Sequence, residues 1–267
     1  MTAALRAGVA GIGLLGPGLP DWESGRRLLA DPASWRPAPT VVTPPARLPA
    51  AERRRAGTLV KASMATAEQA CQMAGIDPAT LATVFTSSTG DPLNCHLLCE
   101  TLATPERLVS PTRFTNSVHN AAAGYWHIAV RSRQPSTSLA AFDDSAAAGL
   151  LEAMAQCEAT RRPVLLVACD LPYPEPLNAL RPVADIFAMA LLLVPPGHAA
   201  PAWLRLELGG QAPPTLCADA RLERLRGSIP AARALPLLQA LALGATSTLV
   251  LGGAGGQRLR LSVSPQL

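Results

Sequence analysis

Residues 136–157, STSLAAFDDSAAAGLLEAMAQC, constrain the fold more than any other stretch of the chain. Residues 136–142 read as a short β run that stops abruptly at Asp143-Asp144-Ser145, and the apolar residues beyond recur at helical spacing. A strand that turns directly into a helix at an Asp/Ser corner leaves backbone N–H groups converging on one spot. Enzymes often display a nucleophile at such a corner. Just upstream, SPTRFTNSVHNAAAGYWHIAV predicts an extended entry and a small-residue helix over 116–130, with Pro135 closing the loop before the β run.

The rest of the chain alternates strands and helices. LRAGVAGIGLLGPGLPDW reads as a buried strand, a Gly/Pro turn and a helix beginning near Asp21; its glycines and Pro17 break up the continuous apolar block that a secretory leader requires. Residues 32–50 are dense in proline and predict an extended surface segment. Residues 53–73 predict a helix with Leu59, Met64, Ala67 and Ala70 facing inward and Gly75 closing it. A short strand is expected over 82–88, followed by a helix opened by Thr89-Gly90-Asp91. VLLVACD (164–170) and DIFAMALLLV (185–194) are continuous apolar runs suited to the middle of a sheet. Beyond Pro195-Pro196-Gly197, WLRLELGG and STLVLGGAGGQRLRLSVSP predict strands and a hairpin around a helix over 231–243. The glycines at 252–256 lack the helix and the Lys-Ser/Thr of a phosphate loop, and read as a hairpin turn.

Composition bounds the partners. An apolar content of 49% with only 16% charged residues fits either an Ala/Leu-rich chain or a large surface covered by a partner subunit. The net charge of +4 is scattered and aromatics make up 4%, so a nucleic-acid partner is not expected. The basic excess is either ordinary solvated charge or an attraction for an acidic carrier protein. Cysteines 71, 95, 99, 157, 169 and 217 lie in apolar contexts without a disulfide framework, as in a reduced, cytoplasmic protein. Cys95-His96-x-x-Cys99 has no second pair at zinc-site spacing, so no metal is expected. No apolar run reaches the ~18 residues needed to span a bilayer.

One resemblance is definite. Val109-Ser110-Pro111, Asn120, Ala123-Gly124 and Pro135-Ser136-Thr137-Ser138-Leu139 resemble the β-ketoacyl synthases of the thiolase-like superfamily, whose pattern is "(I/V)SP … N … AG" followed by "GPS-x-S-(I/V)-x-x-A-C-x-S-G". At the family's interval from Gly124 the acyl-carrying cysteine position falls on Asp143. The resemblance covers about residues 5–194. It implies an α/β, thiolase-like layered fold in one domain over 1–267, with 1–196 like the N-terminal half of a ketosynthase and 197–267 a shortened C-terminal remnant. The strand 164–170 ends Ala168-Cys169-Asp170 where the family has "GG-(A/T)-(E/D)", so Cys169 is expected to pack rather than react.

Condensing chemistry needs a thiolate, an oxyanion hole and histidines that stabilise charge as carbon dioxide leaves. The four histidines here, His96, His119, His127 and His198, match neither family histidine motif. With cysteine and histidines absent together, no catalytic residue and no cofactor are expected. Asp143 reads as a helix cap, or as a charge that mimics a malonyl carboxylate. His119 and His127, eight apart on the expected helix, read as packing residues.

The chain therefore looks like a chain length factor, in particular the small ones of aryl polyene and xanthomonadin-type clusters. That resemblance implies a heterodimer with an active ketosynthase, visited by an acyl carrier protein. The 136–142 strand would pair with its counterpart, and Arg113, Phe114, Asn116, His119, Asn120, Tyr125, Trp126, Ser136, Ser138 and Phe142 would lie at the interface or acyl tunnel. The alternative is enzymatic: a malonyl decarboxylase or thioester hydrolase using the Asp143 pocket or Cys169.

Overall fold

A computed structural model of the chain describes residues 4–265. The first strand, β1 (Ala4–Leu15), is rich in glycine because the next layer lies almost against its backbone. A Cβ at Gly11 or Gly13 would run into the main-chain carbonyl of Ala70 or Thr66. Asp21 then caps α1 (Trp22–Ala30) by accepting from the Ser24 N–H at 2.7 Å. Residues 32–49 of the proline-rich segment are irregular apart from short turns at 32–34 and 46–47. It is not wholly superficial: Trp35 and Leu48 are buried, and Trp35 Nε1 donates to the Pro17 carbonyl at 3.1 Å.

The helix expected over 53–73 is two helices, α2 (Ala50–Arg55) and α3 (Thr58–Ala74), parted at Ala56-Gly57. Gly75 ends α3 in the left-handed conformation, and Leu59, Met64, Ala67 and Ala70 are buried. There follow β2 (Ala82–Thr86) and α4 (Pro92–Ala103), whose N-cap is Asp91.

The helix expected over 116–130 is also broken, into α5 (Pro111–Asn116) and α6 (Ala121–Val130). The physical cause is Asn116, whose amide turns inward to donate to the Arg55 carbonyl (2.8 Å) and accept from the Tyr125 hydroxyl (3.0 Å). Residues 117–120 become a turn, and His119 sits there rather than on a helix with His127. The expected strand 136–142 is shortened to β3 (Ser136–Leu139), because Phe142 takes a left-handed backbone (φ 53°) that no strand continues through.

The chain continues through α7 (Ser145–Thr160), β4 (Val164–Asp170), α8 (Leu177–Leu180), β5 (Phe187–Val194) and β6 (Ala202–Leu208). An unforeseen helix, α9 (Ala220–Ser228), is capped by Asp219, and a short turn at Ala231–Ala234 leads into α10 (Leu235–Leu243). The hairpin β7 (Ser247–Gly252) and β8 (Arg258–Ser264) closes the described chain.

All eight strands form one sheet in the order β3-β2-β4-β5-β1-β6-β8-β7. β2 runs parallel to β3 and β4, and every other pairing is antiparallel. β4 and β5 are buried on both faces, as their unbroken apolar sequences require. Helices α3 and α6 cover one face, and α1, α7, α9 and α10 the other, so two apolar cores flank the sheet. Residues beyond 196 add β6, β8 and β7 to the same sheet, on the far side of β1.

Candidate functional site

The corner between β3 and α7 is tightly determined. The Ser145 hydroxyl donates to the Phe142 carbonyl at 2.6 Å and accepts from the Ala141 N–H at 2.9 Å. The Asp144 N–H bonds the Ala141 carbonyl and the Ser145 N–H the Phe142 carbonyl, so part of the N–H set expected to point into a vacant pocket is already used. Asp143 does not cap the helix. The N-cap position belongs to Asp144, whose side chain makes no capping bond.

Asp143 is instead clamped by two guanidinium groups from distant sequence. Arg181, just after α8, reaches Asp143 Oδ1 at 2.8 Å, and Arg233, in the turn before α10, reaches Oδ2 at 2.8 Å. Arg233 also approaches Asp144 at 3.5 Å, which balances two carboxylates with two guanidiniums. Arg181 donates further to the Tyr173 hydroxyl (2.9 Å) and to Ser88 Oγ (2.8 Å), and its guanidinium stacks 3.8 Å from the centroid of Phe142. Both carboxylate oxygens of Asp143 thus hold charge-assisted bonds, which leaves them poor at attacking a thioester. No local pattern in the sequence announces Arg181 or Arg233; only the fold brings them to the corner.

Behind the corner lies a cavity of about 220 Å³, lined on one side by Asp143, Asp144, Ala146 and Ala147 and on the other by Thr215, Arg226, Arg233 and Arg258. The C-terminal hairpin forms its roof: a Cβ on Gly252 would stand 2.7 Å from Asp144 Oδ1. Cys169 is buried near the end of β4, and burial pushes its thiol well above the ordinary range, so it is present as an inert S–H. Its neighbour Asp170 is buried too, with Oδ1 accepting from the Ser88 and Thr89 N–H groups at 2.7 and 2.9 Å. Burial also raises the Asp170 carboxyl.

The other expected site residues divide into two groups. Tyr125 and Trp126 are buried in the chain's own core, since α6 is mostly apolar and one side must pack on α3, and Asn116, at the end of α5, is buried through its bonds to Arg55 and Tyr125. The remainder stand at or near the surface. Phe114 is 69% exposed and Arg113 half-buried, and Arg113 lines a groove with Leu93, Asn94, Leu97 and Asn116. His119, Asn120, His127, Ser136 and Ser138 line a polar groove between α6 and β3. There Thr83 Oγ1 lies 3.0 Å from His127 Nε2 and 2.8 Å from Ser136 Oγ, and burial lowers the His127 pKa.

Among the described residues β3 pairs on one side only, with β2, which leaves its other edge open. α4 buries only Pro92 and Asn94 although its sequence, PLNCHLLCETLA, is mostly apolar, and Leu93, Cys95, Cys99 and Leu102 are exposed on it. Among the described residues no three His, Cys, Asp or Glu side chains converge to hold a metal, and no helix is long and apolar enough to cross a membrane.

Residues 26–244 match the family model for the β-ketoacyl synthase N-terminal domain. The chain belongs to the β-ketoacyl synthase family. Its fold is that of the solved ketosynthases. It superposes with a TM-score of 0.71 on a chain from the ketosynthase ApeO in complex with its chain length factor ApeC from Xenorhabdus doucetiae, at 22% identity over 97% of this chain and 99% of that one. The ishigamide ketosynthase/chain length factor gives 0.70 at 11% identity, covering 98% and 100%. The 3-oxoacyl-(acyl carrier protein) synthase III FabH of Pseudomonas aeruginosa PAO1 gives 0.53 at 15%, covering 98% and 99%. No curated protein matches the sequence. Within this β-ketoacyl synthase chain, then, the strand-to-helix corner between β3 and α7 holds an aspartate clamped by two arginines.

Proposed function

We propose that this chain is a non-catalytic, chain-length-factor-type subunit that pairs with an active β-ketoacyl synthase in the cytoplasm and shapes the tunnel in which that enzyme extends a carrier-bound acyl chain. The observation that carries this reading is the Asp143 clamp: the position aligned with the acyl-carrying cysteine bears a carboxylate whose two oxygens are held by Arg181 and Arg233. Condensation then has to run on a thiol in another polypeptide. The open edge of β3 and the uncovered apolar α4 supply surface for such a polypeptide, since an unpaired edge and a large apolar patch are both covered in stable assemblies. The ApeO–ApeC complex and the ishigamide ketosynthase/chain length factor, whose fold this chain shares, pair a ketosynthase with a chain length factor, which supports the same arrangement here. The β7–β8 hairpin roofs the corner, in place of part of a ketosynthase second half.

The competing reading, a decarboxylase or thioester hydrolase built on Asp143 or Cys169, draws little support from a clamped carboxylate and a buried, protonated thiol. Co-expression with the ketosynthase of the same genome decides between them. The expected result is a 1:1 complex that forms extended acyl products, with no acyl group attached to this chain on intact-mass analysis. A freely soluble monomer that leaves the ketosynthase's products unchanged, or a covalent acyl adduct and turnover on this chain alone, overturns the proposal.

A further inference from the structure

Phe142 is out of place for a free-standing chain. Among the described residues four non-glycine residues have positive φ, and two of them, Arg131 and Arg161, are helix C-caps, where that conformation is usual. Phe142 instead sits in the corner turn at φ 53°, a conformation that glycine or asparagine adopts at far less cost than an aromatic residue. Its carbonyl accepts from both the hydroxyl and the N–H of Ser145. The ring gains little from the chain's own core, being 64% exposed. One residue is committed to it: Arg181 lays its guanidinium over the ring at 3.8 Å and is itself immobilised by Asp143, Ser88 and Tyr173. Local strain held by surrounding bonds is typical of functional positions. Arg181 also adjoins exposed apolar side chains of α8, with Leu177 half-exposed and Leu180 at 84%. Phe142 follows the open edge of β3 by three residues.

We infer that Arg181 is a positioning residue that holds Phe142 projecting beside the β3 edge, and that Phe142 is the anchor by which this chain fills an apolar pocket of its ketosynthase partner. The inference rests on the heterodimer reading and names the side chain that carries its affinity. An aromatic ring at the centre of an interface commonly dominates binding, and a ring already fixed by a guanidinium forfeits little entropy on docking.

The test measures affinity for the ketosynthase subunit that co-purifies with the wild-type chain, by biolayer interferometry, together with the melting temperature of the isolated chain. Phe142→Gly relieves the backbone strain, so it is expected to raise the melting temperature by about 2 °C while weakening binding by about 30-fold. Arg181→Lys keeps the charge beside Asp143 and loses the stacking. It is expected to weaken binding several-fold in the wild type and to have no further effect in the Phe142→Gly background, a coupling that a merely structural arginine would not show. Binding of Phe142→Gly within threefold of wild type, or an Arg181→Lys effect that persists undiminished in that background, overturns the inference and leaves the heterodimer standing. Failure of the wild-type chain to form any complex overturns both.

Discussion

Replacing Asp143 by alanine removes the centre of the ion cluster and strands two guanidiniums. Charge-assisted hydrogen bonds are worth about 1.5–3 kcal/mol each when well shielded. Here the side chains of Asp143, Arg181 and Arg233 are 32%, 26% and 38% exposed, so solvent screening reduces each bond to about 1 kcal/mol. Arg181 keeps Ser88 and Tyr173, and Arg233 keeps Asp144, which limits the penalty for the arginines left behind. The loss is therefore about 2 kcal/mol, equivalent to a fall of about 5 °C in melting temperature for a chain of this size. Circular dichroism melts of the two proteins at low and at 1 M salt measure it. The wild type is expected to lose part of its advantage at high salt and the variant to respond less, because the pairs that salt screens are gone. Asp143→Cys, which supplies a thiol at the corner, is expected to remain without condensing activity, since among the described residues no histidine lines the cavity beside it. Equal melting temperatures with equal salt responses would refute the clamp, and an active Asp143→Cys chain would refute the case for inactivity.

Other parts of the structure give sharp expectations. In the folded chain Cys95 and Cys99 should react rapidly with a thiol reagent, while Cys71, Cys157, Cys169 and Cys217 should react only after denaturation; burial pushes the Cys71 and Cys217 thiols up to about 12 and that of Cys157 to about 11. Rapid labelling of Cys169 would contradict its burial. His127 has a lowered pKa, so the unfolded chain takes up its proton more readily than the folded one; this stability is complete above the ordinary value of 6.5 and is lost as pH falls below it. The melting temperature of wild type relative to His127→Gln should accordingly drop between pH 7.5 and 5.5, and a flat difference would exclude the assignment. Gly13→Ala should cost upwards of about 3 kcal/mol and yield insoluble protein, because α3 leaves no room for a methyl, whereas Gly227→Ala, with nothing near its Cβ position, should stabilise α9 by about 0.5 kcal/mol. Comparing soluble yield and melting temperature checks the pair.

What could be read from the sequence was local. Asp21 after a Gly/Pro turn marked α1, the unbroken apolar runs marked β4 and β5, and the interval from Gly124 placed Asp143 at the corner. The clamp could not be read, because its arginines come from 38 and 90 residues farther along the chain and stand in no motif. The break between α5 and α6 was hidden because Asn116 looked like an ordinary helix residue, and only its bond to Arg55, 61 positions back, explains the turn. α6 is mostly apolar, so periodicity gave no means of telling that Trp126 faces inward while Ile128 is exposed. ARLERLRGS is too polar for apolar spacing to mark α9, whose start is legible only in Asp219 as an N-cap with Glu223 in the first turn.

The brevity of β3 limits how this molecule can choose its company. Four residues present only a few main-chain donors and acceptors at the open edge, and those groups are the same in every polypeptide. A second copy of the chain could zip onto that ladder as readily as a foreign strand. Discrimination between self and stranger must therefore be written in the side chains that flank the ladder, where a single misplaced methyl or charge is enough to tip the choice.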